Sequence, residues 1–191
     1  MSPFALAGLF AFALVVVIAG YVVVASYNAV VALRQRIDKA WANIDVVLKQ
    51  RHDQLPNLVA AVRGLMTYER DVLTQVAQAR AAYSPTATIP DQAATSDATS
   101  SAVRSLFAVV ERYPDLTSQP SVHDLQDEIE RLEAMIADRR ELYNDQVYRY
   151  NTAIGQLPGV LLASILGWTA RPFFAADPAD IARPDSRLGP T

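Results

Sequence analysis

The sequence of 191 residues has no cysteine, only two histidines, and seven glycines against 11 prolines. Without cysteine, the chain forms no disulfide bond, thiol nucleophile or thiolate metal site. The two histidines, His52 and His123, lie on separate segments, and neither belongs to an H-E-x-x-H or E-x-x-H pattern. A glycine-rich phosphate loop is missing as well. The sequence therefore predicts a protein that is not an enzyme and that has no metal or cofactor site.

Neither sign of charge dominates the chain. The formal net charge is −3 and the sequence pI is about 5.3, which gives no indication of a nucleic-acid partner. The most acidic stretch, residues 123–133, carries Leu125, Ile129 and Leu132 at helical spacing. Because these three take the buried face of a helix, the acidic residues between them form a solvated face. A cation site is the less favoured alternative.

One long apolar run is present at the start of the chain. It extends from Phe4 to Ala25, 22 residues without a charge, which would cross roughly 30 Å of hydrocarbon as a helix. This predicts an uncleaved signal-anchor that holds the chain in the lipid bilayer. A cleaved signal peptide is the alternative, but no basic residue precedes Phe4. Basic residues follow the run, so the N-terminus is expected outside and the body in the cytoplasm.

The body shows four helical stretches, at about residues 26–55, 57–83, 98–112 and 121–157. Their apolar residues recur at steps of three and four, the heptad spacing of coiled coils and left-handed bundles. Pro56 is expected to end or kink the first stretch. The small, polar residues 84–101 are interpreted as a flexible linker. The fold class predicted is all-α: a transmembrane helix (residues 1–25), an antiparallel up-down bundle of about four helices with a long last helix (26–174), and a disordered tail (175–191).

Four charged residues interrupt the apolar seams: Arg34, Glu69, Arg80 and Arg139. Buried charge is tolerated when it is paired and hydrogen-bonded, so we expect some of these residues to pair across helices, with Glu69 as the carboxylate. Such pairs would set the register of the helices, or the long side chains would reach the edge of the bundle. The alternative is a polar slot for a ligand or a partner segment.

Two Tyr-Asn pairs lie seven residues apart in the last stretch. Tyr143 and Tyr150 fall on its apolar seam, whereas Asn144 and Asn151 lie one step off it. The pattern favours aromatic rings in the core and amides that bond a neighbouring helix, over a ladder of ligand-binding residues. A third pair begins at Tyr27, and Tyr27 is predicted to lie within one helix layer of Tyr150.

The apolar stretch after this helix, residues 160–168, reads as a short helix capped by Gly167. With the RPFF sequence that follows, it would either meet the membrane interface or close the end of the bundle, and both alternatives remain open for residues 160–174.

Several motifs in order resemble the LemA family. They are YNAVVALRQRIDKAWANIDVVLKQRHDQLPNLVAAVRG from residue 27, YERDVLTQVAQAR from residue 68, ERYPDL, DRRELYNDQVYRYN, and the closing LPGVLLASILGW with PFF. The resemblance covers about residues 26–174. It implies a bacterial, usually membrane-anchored protein with an antiparallel helical-bundle body, and the family has no settled activity and no recognised catalytic residues.

These features favour a membrane-anchored scaffold or adaptor that binds other membrane or envelope proteins. A membrane-organising homo-oligomer is the first alternative. An enzyme that uses a buried arginine–glutamate slot is the second.

Overall fold

The computed structural model describes residues 3–63 and 69–175, and every regular element within those two ranges is an α-helix. The all-α prediction is confirmed. The predicted tail lies outside the described residues, except for Ala175. The helices are α1 (Pro3–Arg63), α2 (Arg70–Ala81), α3 (Ile89–Val110), α4 (Pro114–Thr117), α5 (Pro120–Gly155) and α6 (Gly159–Leu166).

Helix α1 continues through Pro56, where the sequence predicted an end or a kink, so the end is not observed. A proline inside a helix loses one backbone hydrogen bond, and burial of the neighbouring Leu55, Leu58 and Val62 offsets that cost. The stretch predicted over residues 57–83 is therefore divided. Its first part belongs to α1, and its second part forms α2 from Arg70.

The predicted flexible linker at residues 84–101 is wrong for most of its length, because α3 begins at Ile89. The hydroxyl of Thr88 accepts a hydrogen bond from the Asp91 amide, and a proline occupies the first turn, both of which favour a helix start. Small residues such as Ala93 and Ser96 are buried, since a helix lined with them can approach its neighbours closely. A composition that resembles a linker thus forms a packed helix.

The described residues form two compact units. The N-terminal unit contains the chain up to Lys39 together with Asp145–Arg171, and the central unit contains Ala40–Asn144 and the residues from Pro172. The predicted body, residues 26–174, contributes to both units, as do helices α1 and α5.

Within the central unit, α5 runs antiparallel to α1 and to α3. Trp41 contacts Tyr143 and Arg51 contacts Glu133, so residue numbers rise along α1 as they fall along α5. Ser100 contacts Glu133 and Asp97 contacts Arg140, so residue numbers also run in opposite directions along α3 and α5. The apolar core includes Leu55, Leu58, Val62, Val76, Val103, Leu106, Val110, Val122 and Ile129. This arrangement agrees with the predicted antiparallel helical bundle.

Within the N-terminal unit, buried residues come from α1, α5 and α6: Val30, Ile37, Val147, Tyr150, Ile154 and Ala163. Helix α6 ends at Leu166, and its cap residue Gly167 has the left-handed φ of 67° that favours glycine. The predicted cap is confirmed. At its start, Gly159 is buried against the α5 backbone, and an added Cβ would overlap the carbonyl oxygen of Ala153.

We expect Gly159→Ala to destabilise the full chain by about 2 kcal/mol, because the methyl group would force two helix backbones apart. Gly155→Ala is the matched control, since a Cβ there meets open space at the last residue of α5 and little change in stability is expected. Chemical unfolding in detergent micelles, followed by circular dichroism, gives both values. Equal stabilities for the two variants would contradict the close approach at Gly159.

Candidate functional site

The irregular segment at residues 168–175 is held by the Tyr-Asn pairs of α5. In the central unit, the Tyr143 hydroxyl donates to the Pro172 carbonyl at 2.9 Å. Asn144 bonds both backbone groups of Phe174: its oxygen accepts from the amide at 2.9 Å, and its nitrogen donates to the carbonyl at 3.4 Å. The same carbonyl accepts from Arg140 Nε at 2.9 Å. These groups fix residues 172–174 against α5.

The second pair repeats the pattern within the N-terminal unit. The Tyr150 hydroxyl donates to the Thr169 carbonyl at 3.1 Å, and Asn151 exchanges two hydrogen bonds with the backbone of Arg171, at 2.9 and 3.0 Å. Tyr27 packs on Trp168 with ring centroids 5.7 Å apart. Tyr27 and Tyr150 therefore contact the consecutive residues Trp168 and Thr169. This agrees with the prediction that the two tyrosines lie close together.

The predicted role of the tyrosine rings agrees with the structure, but the predicted partner of the asparagines does not. Tyr143 and Tyr150 are fully buried. Asn144 and Asn151 bond the backbone of the irregular segment instead of a neighbouring helix. The reason is physical: an irregular segment leaves its amides and carbonyls without helical partners, and a side-chain amide offers both a donor and an acceptor.

The four charged residues of the predicted seam do not pair with one another. Glu69 pairs with Arg112 at 3.3 Å, near the start of α2. Arg80 is exposed, and Arg34 and Arg139 are partly exposed. Among the residues that the structure describes, no ion pair joins Glu69 to any of these three arginines. The arginine–glutamate slot is therefore not assembled from these residues.

Among the described residues, Arg51 is a charged side chain that is only 3% exposed, and the heptad pattern did not single it out. Its guanidinium donates to Glu133 at 2.7 Å and to the hydroxyls of Ser96 and Ser100, both at 2.9 Å. Ser100 in turn donates to Glu133 at 2.6 Å. The signal was present in the sequence: the α1 seam steps by seven from Leu48 to Leu55, and residue 51 fills the gap.

A polar cleft of about 650 Å³ lies beside this network, between α3 and α5 of the central unit. Arg140 crosses it and donates to Asp97 at 2.7 Å. Five charged side chains line the cleft: Asp97, Arg104, Glu133, Arg140 and Glu141. Within residues 3–63 and 69–175, no three histidine or acidic side chains are grouped as metal ligands would be. The cleft can offer hydrogen bonds and charges of both signs to a polar segment of another chain.

His52 lies in a second, smaller recess of the central unit. Its ring packs on Tyr83, with centroids 4.8 Å apart, and Arg51, Arg80 and Thr99 also line the recess. Burial lowers the pKa of His52 from its ordinary value, and the positive charge of Arg80 lowers the pKa further, whereas Asp53 opposes this shift. Burial also raises the pKa of Tyr83, so both rings are neutral near pH 7.

We expect His52 to make the fold less stable in acid. The unfolded chain binds this proton near pH 6.5, its ordinary pKa, and the folded chain binds it only at lower pH. Stability therefore falls as pH decreases from about 6.5 to the folded-state pKa. Denaturant unfolding of the full chain in detergent at a series of pH values tests this. His52→Phe, which keeps a ring beside Tyr83, should show a smaller loss, and parallel curves for the two proteins would contradict the assignment.

The first part of α1 presents its side chains outward. The apolar residues from Phe4 to Val24 whose side chains are described are exposed, and α1 contains the helix window that is long and apolar enough to cross a membrane. This exposed run is consistent with the predicted single-pass anchor.

These observations define a class of protein: an all-helical chain in which one candidate membrane-spanning helix continues into a helical body. The LemA family model matches residues 40–186, and the chain belongs to the LemA family. The match begins after the apolar run.

Two curated relatives are similar to part of the chain. Magnetosome protein MamQ 2 and Magnetosome protein MamQ 1 of Paramagnetospirillum magneticum (strain ATCC 700264 / AMB-1) are each 36% identical over 74 residues. The alignment covers 39% of this chain and 27% of each relative, so the chain spans about a quarter of their length.

Proposed function

We propose that this protein is a membrane-anchored scaffold that holds a partner protein at the bacterial cell membrane. One observation carries the proposal: a single helix, α1, contains both the exposed apolar run and the buried residues Ile44, Leu48 and Leu55 of the central unit. A membrane that binds the apolar run therefore also anchors the helical body, since both belong to one helix.

The polar cleft between α3 and α5 is the surface that we assign to the partner. Its wall carries exposed charges of both signs, Arg104 and Glu141, which suit a polar protein segment. The relatives' name, magnetosome protein, gives this chain no role, because the likeness covers only 27% of their length.

Site-specific photocrosslinking in native membranes tests the assignment. A photoreactive residue at Glu141, inside the cleft, should give adducts with a different protein, whereas the same residue at Glu130, exposed on α5 away from the cleft, should not. Adducts between two copies of this chain alone would instead favour a membrane-organising homo-oligomer. Equal adducts at both positions would reject the cleft.

The orientation is tested separately. Basic residues follow the apolar run, namely Arg34, Arg36 and Lys39, and the positive-inside rule supports a cytoplasmic body. Because the chain has no cysteine, Gln35→Cys introduces a unique thiol on an exposed position of α1. An impermeant maleimide should label it only after the membrane is permeabilised. Labelling in spheroplasts, which lack the outer envelope but keep a sealed cell membrane, would mean that the body lies outside.

A further inference from the structure

Helix α6 exposes an apolar surface that the fold does not cover. Ile165 is 79% exposed and Leu157, just before the helix, is 76% exposed, and Leu161 and Leu166 are exposed beside them. No charged residue occurs between Gln156 and Ala170. A soluble surface rarely concentrates large apolar side chains in this way without a binding partner, because each one remains in contact with water. We call Leu157, Leu161, Ile165 and Leu166 the α6 apolar patch.

The N-terminal unit places α6 beside the end of the apolar run of α1. Trp168, directly after the Gly167 cap, packs on Tyr27. Tyr27 is two residues beyond Ala25, or about 3 Å along the helix axis. The chain then runs away from the apolar run, since Arg171 reaches Asp38 at 3.6 Å. Helix α6 ends at Leu166, two residues before Trp168, so the C-terminal end of α6 lies beside this contact.

The position of α6 is fixed from both ends. Gly159 packs against the α5 backbone at Ala153, and the Tyr150 hydroxyl bonds the Thr169 carbonyl. The aromatic pair of Tyr27 and Trp168 is also of the type enriched where membranes meet water, because both rings combine an apolar body with a polar tip. The α6 apolar patch is therefore an ordered surface at the level where α1 would leave the hydrocarbon.

We propose that α6 lies in the bilayer interface, with the α6 apolar patch inserted among the lipid acyl chains. The occupant is the lipid surface that surrounds α1, so the proposal rests on the membrane anchoring in the proposed function. Helix α6 would then be a second, monotopic contact, which adds buried apolar area to the anchor and fixes the rotation of α1 about its axis.

Single cysteines labelled with an environment-sensitive nitrobenzoxadiazole probe test this in the full chain. The chain has no cysteine of its own, and it is reconstituted into phosphatidylcholine–phosphatidylglycerol vesicles. Ile165→Cys reports on the patch, Val16→Cys on the apolar run, and Gln35→Cys on an exposed position about 15 Å along α1 from Ala25. All three side chains are exposed in the protein, so none of the labels disturbs the core.

We expect the probe at residue 165 to emit at shorter wavelength and to lose most of its emission to a quencher carried near the lipid headgroups. The probe at residue 16 should respond to a quencher deep in the acyl chains, and the probe at residue 35 only to an aqueous quencher. A probe at residue 165 that responds only to the aqueous quencher, while residue 16 stays in lipid, overturns the proposal and leaves the anchor intact. A probe at residue 165 shielded from both kinds of quencher shows that protein covers the patch and also overturns the proposal. Water-accessible probes at both residues 16 and 165 overturn the anchor itself.

Discussion

Phe174→Ala is expected to lower the free energy of unfolding of the full chain by about 4 kcal/mol, the range for loss of a fully buried phenylalanine. The ring lies 5.8 Å from Trp41, and the Arg140 guanidinium lies 5.6 Å from the ring centroid. Removal of the ring leaves a cavity between α1 and α5 of the central unit and weakens the hold on residues 172–175. Denaturant unfolding in detergent micelles, followed by tryptophan emission, measures the loss, since Trp41 contacts the ring directly.

The neighbouring Phe173→Ala is the matched control. Phe173 is partly exposed, and its truncation removes a ring of the same size from the same segment, so we expect a clearly smaller loss of stability. Similar losses for both variants would mean that the segment as a whole, and not the buried ring of Phe174, stabilises the central unit.

The heptad pattern predicted the helical body well, because burial in a bundle depends mainly on periodicity. The seam residues Val30, Ile37, Ile44, Leu48 and Leu55 are buried as predicted, and α5 begins and ends within two residues of the predicted limits.

The same pattern could not choose between neighbouring charged residues. In α5, both residue 139 and residue 140 lie three or four positions from Ile136 and Tyr143, so heptad spacing allows either to face inward. The sequence favoured Arg139, whereas Arg140 makes the contacts to Asp97 and Phe174. Which arginine faces inward depends on the partner that each side chain meets across the bundle. The periodicity of one helix gives no information about that partner.

Contacts with irregular backbone were also beyond the reach of the sequence. The asparagines of the Tyr-Asn pairs bond amides and carbonyls of residues 171 and 174, and those groups are the same in every residue type except proline. The linker prediction failed for a related reason. Composition over residues 84–101 indicates that few large apolar residues are present, but it does not report that small residues let α3 pack closely.

Glu133→Ala is expected to lower the free energy of unfolding, because it removes the charged partner of Arg51. This substitution leaves a guanidinium that is only 3% exposed, with two serine hydroxyls and the Ser96 carbonyl as its remaining partners, and an uncompensated buried charge costs about 3 kcal/mol. Arg51→Met should cost less, because the Glu133 side chain is 27% exposed and can be hydrated, and the Ser100 hydroxyl still donates to it. The order of the two losses is the essential result.

The double variant Arg51→Met with Glu133→Leu distinguishes two contributions to stability: the cost of a buried charge without its partner, and the net stabilisation by the ion pair. Replacement of both members by apolar residues removes two desolvation penalties together with their attraction, so we expect the double variant to recover most of the loss of Glu133→Ala. Glu130→Ala, an exposed acid on the same helix, controls for the general effect of removing a negative charge. Urea unfolding of the full chain in detergent micelles provides all four values. If Arg51→Met were as damaging as Glu133→Ala, and the double variant more damaging than either, the pair would be a net source of stability and the orphaned-charge explanation would be wrong.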